Sequence, residues 1–340
     1  MASASAAAGA APELDGFLRL HGLAAPDEQA AWTPLAGGVS SDIWRVDLPG
    51  RSICVKRALS KLRVGSDWHA PVSRNRYEWE WLQLTAQIVP SSVPQPLAHD
   101  PQLGLFAMAF LPGDRFPLWK RQLLAGQVDV ATAVRVGQLL ATLHNATAGR
   151  AEVAAAFDSL PNFHALRLDP YLLATGRKHP DLQAALAALA ERTGQGRIAL
   201  VHGDVSPKNI LVGEEAPVLL DAECAWYGDP AFDLAFCLNH FLLKAVLLPQ
   251  HRDALLRSFE AMAASYLDSV RFEARTGLEA RTASLLPGLT LARIDGKSPV
   301  EYLVGRESEQ ELVRRLARPL IAQRVASLGD VLHAWRSGVS

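Results

Sequence analysis

The chain is 340 residues long, 49% apolar and 20% charged, with a formal net charge of −1. This is ordinary globular composition, enough for one large domain or two modest ones, and it gives no global field toward nucleic acid or an anionic membrane. No run approaches the ~18 uncharged apolar residues of a membrane span, and Cys54, Cys224 and Cys237 lack metal-ligand spacing, so a reduced, cytoplasmic setting is expected.

Residues 1–12 are rich in Ala and Ser, without a basic leading segment or a long apolar stretch, and read as a disordered tail. Leu14, Phe17, Leu18 and His21 then fall at helical spacing. After Leu35 comes Gly37-Gly38-Val39-Ser40-Ser41, followed by two strand-like runs, 43–48 and 52–56, joined by Pro49-Gly50. Tyr77, Trp81, Leu84 and Ile88 predict a helix from Arg74, which Pro90, Pro94 and Pro96 end. Two more strands follow, at 97–99 and 105–110, and Leu111-Pro112-Gly113-Asp114 breaks the pattern. Beyond this point the chain turns helical, with helices expected at 130–146, 181–192, 231–247, 254–270 and 309–325. Short apolar runs at 198–201 and 218–220 interrupt them, each opening into polar residues.

Those two openings carry the chemistry. The first reads His202-Gly203-Asp204-Val205-Ser206-Pro207-Lys208-Asn209, and the second Asp221-Ala222-Glu223. Phosphoryl transfer needs one carboxylate to position a hydroxyl and take its proton, here Asp204. It also needs oxygen ligands for Mg²⁺, here the Asn209 carboxamide and the Asp221 carboxylate. A hairpin-like return from Asn209 to Asp221 would bring both ligands beside the base. Lys208, next to Asn209, either neutralises the transferring phosphoryl group or points to solvent.

This pair of motifs resembles the aminoglycoside phosphotransferase and choline kinase-like family, over roughly Leu35 to Leu248. The resemblance implies an α+β, protein-kinase-like two-lobed fold: a small antiparallel-sheet N-terminal nucleotide-binding lobe (13–111) and a larger, mainly helical catalytic and acceptor-binding lobe (112–340). It implies that Asp204 is the base, that Asn209 and Asp221 are metal ligands, and that Glu223 is a further direct or water-bridged ligand. His202 belongs to the same motif as a structural residue. Asp233, in Gly228-Asp229-Pro230-Ala231-Phe232-Asp233, is expected to hold the backbone of the catalytic loop, although a helix dipole alone accounts for an acid there.

In the first lobe Ser40 and Ser41 would offer donors to phosphates after the glycine pair. Lys56, ending the second strand, would contact the α- and β-phosphates and pair with Glu78 or Glu80; the family pattern favours Glu78. Met108 would line the adenine pocket, with Ala109 and Leu111 reading the base through main-chain groups. The chain has Asp221-Ala222-Glu223 where protein kinases carry Asp-Phe-Gly, and it lacks their long activation segment, which argues against a protein substrate.

The acceptor is the least legible part. Trp226, Tyr227, Phe232, Phe236 and Phe241 could form an aromatic cage for a quaternary amine, but three of them are at core spacing. Arg293, Asp295 and Lys297 stand in a segment, 291–302, read as a Gly/Pro-bounded loop between helices and as a candidate acceptor contact. The expectation is an ATP- and Mg²⁺-dependent kinase acting on a hydroxyl of a sugar-like or amino-alcohol metabolite, with no nucleic-acid or membrane partner. The competing readings are an aminoglycoside-type antibiotic phosphotransferase and a catalytically inactive nucleotide-binding module.

Overall fold

The computed structural model describes residues 7–35, 41–59 and 73–338. The expected phosphate contacts Gly37, Gly38 and Ser40 lie outside them. The chain divides into two compact units, Met1–Pro112 and Gly113–Ser340.

The first unit is built on an antiparallel sheet. Its strands are β1 (Ala31–Pro34), β2 (Ser41–Leu48), β3 (Arg51–Ala58), β4 (Pro96–Asp100) and β5 (Leu105–Ala109), in the order β1-β2-β3-β5-β4. Gly50 takes φ +75° in the tight turn that joins β2 to β3, a conformation that glycine adopts without a Cβ penalty. Alternation in β2 turns Trp44, Val46 and Leu48 inward. They meet Ile53 and Val55 of β3, Leu105 and Ala107 of β5, and Leu14, Phe17 and Leu18 from the helix Ala7–Leu20. That helix begins inside the stretch read as a tail; alanine, the best helix former, dominates its first turns. Strand β1 is mostly exposed and was not legible as a strand, because an edge strand carries little hydrophobic alternation. The helix Arg74–Ile88 buries Glu78, Trp81, Leu82 and Thr85.

The second unit is mainly helical. Its longest helices are Val130–Thr147, Ala231–Leu247, Arg252–Ser269, Arg275–Asp295 and Glu307–Gln323. Ala231–Leu247 is buried on nearly every face, as its almost unbroken apolar sequence requires. Two small ribbons are embedded among the helices: β6 (Ala199–Val201) with β9 (Trp226–Gly228), and β7 (Ile210–Val212) with β8 (Pro217–Leu219).

The segment 291–302 is not one loop. Residues up to Asp295 complete the helix Arg275–Asp295, which runs through Pro287 and Gly288. Gly288 sits where a Cβ would come within 3.2 Å of Leu172 and Leu186, so glycine serves close helix packing there instead of ending the helix. The aromatic cage candidates are core as well. Trp226 stacks on Phe163 at 4.4 Å and Phe232 on Phe236 at 5.3 Å, and all five are buried. Among the described residues, no helix is long and apolar enough to cross a membrane, and Cys54, Cys224 and Cys237 are free and buried.

Candidate active site

The site in the second unit follows from the two ribbons. β6 ends at Val201 and delivers the chain into His202-Gly203-Asp204. The β7–β8 hairpin pairs Ile210 with Leu219, and the Leu220 amide donates to the Asn209 carbonyl at 2.9 Å. That register brings Asn209 and Asp221, twelve positions apart in sequence, to the same end of one hairpin. His202 ties the two halves together. Its Nδ1 accepts from the Asp204 amide at 3.1 Å, which leaves Nε2–H to donate to the Leu220 carbonyl, also at 3.1 Å. Burial, opposed by the carboxylates of Asp233, Asp204 and Asp221, lowers the pKa of this imidazole, in keeping with the neutral form these bonds require.

The backbone of the loop is pinned from below. Asp233 Oδ2 accepts the His202 amide at 2.7 Å and Oδ1 accepts the Gly203 amide at 2.8 Å. Behind Asp233 stands His144, whose Nε2 is 3.3 Å away and whose Nδ1 contacts the Tyr266 hydroxyl at 2.7 Å. Gly203 has φ +78°, and a Cβ there would lie 2.6 Å from the Cys224 carbonyl, so only glycine fits this bend.

Asp204 is buried. Its Oδ2 receives Arg167 Nη2 at 2.9 Å and Lys208 Nζ at 3.1 Å; its Oδ1 is buried with no hydrogen-bond partner among the described residues. Burial alone would raise the pKa of this carboxyl, but Arg167 and Lys208 outweigh it and hold it below the ordinary value. Lys208, half-exposed, is correspondingly held protonated: burial works against its charge, and Asp204 and Asp221 overcome that and raise its pKa. The result is an ionised carboxylate with one oxygen committed and one available to a ligand.

Arg167 was invisible in the sequence. It comes from a distorted π-helical turn, His164–Leu173, interrupted by Pro170. Its Nε donates to the Gly203 carbonyl at 2.6 Å and its Nη1 to the Leu166 carbonyl at 2.7 Å, while the guanidinium lies over the rings of Tyr171 and Phe236. One side chain thus fixes both the backbone and the carboxylate of the loop.

Asn209 and Asp221 are the candidate cation ligands. The Asn209 carboxamide nitrogen donates to the Asp204 carbonyl at 3.1 Å, which orients its oxygen as the group left for a ligand. Asp221 holds φ +66°, a left-handed conformation uncommon for a residue with a side chain and concentrated at functional sites. Among the described residues no three His, Cys, Asp or Glu side chains form a closed metal-binding group. A carboxamide and one or two carboxylates nonetheless suit Mg²⁺, which draws its remaining oxygens from water and phosphate. Glu223 is buried beside them in sequence, its carbonyl receiving the Asn162 side chain.

In the first unit Lys56 and Glu78 form a buried ion pair at 2.7 Å, whereas Glu80 is half-buried and pairs with Arg76 at 2.7 Å. Ser41, at the start of β2, is buried. Met108 and Ala109 end β5, and the Ala109 amide donates to the Gln95 carbonyl at 2.8 Å, so it is not a donor for a base. Leu111 lies just past the strand.

The acceptor candidates separate. Arg293 is buried at the wall of a small cavity beside the catalytic loop, together with Lys208. Asp295 and Lys297 are not part of that wall. Asp295 is held by Arg314 at 2.8 Å and His179 at 2.9 Å, and Lys297 pairs with Asp169 at 2.9 Å. Asp295, more than half a helical turn past Arg293, is carried away from the cavity wall, and Lys297 lies beyond the helix end.

The five-stranded antiparallel sheet and the mainly helical second unit are the elements of a protein-kinase-like fold. The profile of the Phosphotransferase enzyme family matches residues 31–272, and the chain belongs to that family. Methylthioribose kinase from Pectobacterium atrosepticum is 29% identical over 223 residues, 58% of this chain and 55% of that protein. The chain therefore spans about half the length of the curated relatives it matches. Among solved structures, choline kinase from Cryptosporidium parvum superposes with a TM-score of 0.53 at 14% identity, covering 89% of this chain and 93% of that one. An amicoumacin kinase in complex with AMP-PNP and Ca²⁺ gives a TM-score of 0.50 at 15% identity, covering 92% and 95%. At such identities the likeness is one of fold.

Proposed function

We propose that this chain is an ATP- and Mg²⁺-dependent small-molecule kinase, transferring the γ-phosphoryl group of ATP to a hydroxyl of a small, sugar-like metabolite. The observation that carries the reading is Asp204: an ionised, buried carboxylate on a pinned loop, with Oδ1 unpartnered among the described residues and cations fixed on Oδ2. Oδ1 accepts the acceptor's hydroxyl proton. As the hydroxyl oxygen forms its bond to the γ-phosphorus, the β–γ bridging P–O bond breaks, and the products are a phosphate ester and ADP. Arg167 keeps Oδ2 occupied, so the carboxylate presents one oxygen in a fixed direction. Lys208, on the same loop and paired with Oδ2, adds positive charge beside the charge that develops on the phosphoryl oxygens.

Asn209 and Asp221 would hold the cation through a carboxamide and a carboxylate oxygen, with Glu223 adding a direct or water-bridged contact. When bound, Mg²⁺ supplies neutralisation of the phosphate charge. Lys56, oriented by Glu78, contacts the α- and β-phosphates. Ser40 and Ser41 add donors, Leu111 reads the base through its main chain, and the Ala109 carbonyl and Met108 side chain flank it. His202 and Asp233 hold the loop and touch no reactant. The test is ATP consumption across a panel of alcohols with wild-type protein and Asp204→Asn. Turnover that survives in Asp204→Asn would remove the base from the mechanism.

A further inference from the structure

The cavity beside the catalytic loop is about 20 Å³ and is lined by Lys120, Lys208, His240, Lys244, Arg293, Glu301 and Tyr302. Its charge is lopsided. Glu301 is largely exposed and paired with Lys120, and Lys208 is engaged by Asp204. Among the described residues, neither Lys244 nor Arg293 is in an ion pair with a carboxylate, although Glu301 lines the same cavity. Lys244 is fully buried; its nearest polar contact is the Tyr302 hydroxyl at 3.5 Å, and it sits over that ring at 4.7 Å. Arg293 Nη1 reaches only neutral oxygens: the Tyr171 hydroxyl, the Ser298 carbonyl and the Ser298 hydroxyl. Arg293 Nε and His240 Nε2 are buried with no partner at all among the described residues.

Buried cations and unpartnered donors around one small space are the complement of an anion. The space between the donors is about one water's volume, enough for a single anionic oxygen, and a planar carboxylate needs less room around that oxygen than a tetrahedral phosphate. Lys208 links this wall to Asp204, so an acid anchored there carries its hydroxyl toward the base. We propose that the cavity seats the carboxylate of the acceptor, which makes the substrate a small hydroxy acid whose carboxylate lies between Lys244 and Arg293. This rests on the kinase reading and narrows its acceptor; a cationic amine would meet repulsion at the same place. Burial, reinforced by Lys120 and Arg293, lowers the Lys244 ammonium to about 7, so an arriving carboxylate also draws a proton onto that lysine near neutral pH.

Two measurements decide it. In crystals grown with sodium bromide, anomalous density is expected in the cavity of the wild-type protein and absent from Lys244→Met. In steady-state assays with matched acceptors (glycerol with glycerate, threitol with threonate, glucose with gluconate, and choline as the cationic control), the acid of a pair is expected to have at least tenfold higher kcat/KM. That preference should fall about tenfold or more in Lys244→Met and in Arg293→Met, with the ATP KM little changed; Lys244→Gln serves if the methionine variant folds poorly. An empty cavity in the wild type, or a preference for the neutral or cationic acceptor, overturns the proposal and leaves the kinase reading standing. Absence of turnover with every alcohol sinks the kinase reading itself, and the acceptor with it.

Discussion

Replacing Lys244 by methionine should stabilise the protein, the reverse of what truncating a buried side chain normally does. Lys244 is fully buried in the helix Ala231–Leu247 and forms no ion pair among the described residues; Lys120 and Arg293 disfavour its charge, and Glu301, on the same cavity, favours it but is paired with Lys120. Desolvation is the largest influence, and it lowers the ammonium from 10.5 to about 7. At 1.36 kcal/mol per tenfold change in proton affinity, the folded state carries a penalty of about 5 kcal/mol at pH 6 that falls to about 1 kcal/mol at pH 9.5. The sign follows from proton counting. Between about 7 and 10.5 the unfolded chain holds the lysine proton and the folded chain does not, so stability rises with pH in that window and the penalty is complete below it. Methionine has similar length and no charge to desolvate. Allowing for relaxation and water around the ammonium, about 2 kcal/mol should be recovered at pH 6, or about 4 °C or more in Tm for a domain of this size. Differential scanning calorimetry of both proteins at pH 6, 7.5 and 9.5 reads this, because titrating groups that Lys244 does not touch cancel in the difference; His240, whose protonation Lys244 disfavours, adds a smaller change of its own. A variant that melts at or below the wild type at pH 6, or a gap that does not shrink by pH 9.5, would refute the account of Lys244 as an uncompensated buried cation.

Asp204→Asn should lower kcat by about 10²–10⁴-fold with nucleotide affinity nearly unchanged, measured by single-turnover kinetics and nucleotide titration. Asp221→Asn should raise the Mg²⁺ concentration needed for half-maximal turnover by tenfold or more; an unmoved magnesium titration would show that Asp221 is no ligand. In Asp233→Asn one of the two amides of His202 and Gly203 meets an NH₂ in place of an oxygen, so amide exchange in that loop should accelerate and kcat fall, although Asp233 touches no reactant. Asp295→Ala should cost about 1–3 kcal/mol of stability by releasing Arg314 and His179, with acceptor kinetics normal in the folded protein; a raised acceptor KM would return Asp295 to the binding site.

What the sequence revealed of the site depended on whether function lay along the chain or across it. The runs His202 to Asn209 and Asp221 to Glu223 stood out because each is a polar opening after a short apolar strand, and the β7–β8 hairpin brings them together. The β2–β3 strands and the helix from Arg74 were legible because hydrophobic period and turn residues agreed there. The helix Arg275–Asp295 was hidden by Pro287 and Gly288, which look like punctuation but serve close packing. Asp295 and Lys297 looked like loop charges for the same reason, and the ion pairs that occupy them involve His179, Arg314 and Asp169, far off in sequence.

Arg167 and Lys244 went unnoticed for a deeper reason. Each lies in a run that reads as ordinary helical surface or core, and neither belongs to a motif. Arg167 reaches Asp204, thirty-seven residues away, only because a π-helical turn aims it there, and two aromatic rings hold it. Lys244 sits on a helix whose neighbouring positions, Leu242, Leu243 and Ala245, are all fully buried, so the pattern predicts an apolar residue. A lysine that breaks such a pattern has only a few physical outcomes: it snorkels to water, it pairs with a carboxylate, or it waits for an anion. Burial excludes the first, and the ion pairs around it exclude the second among the described residues. The third is what makes the acceptor's own charge, which no motif in the sequence encodes, readable from the fold.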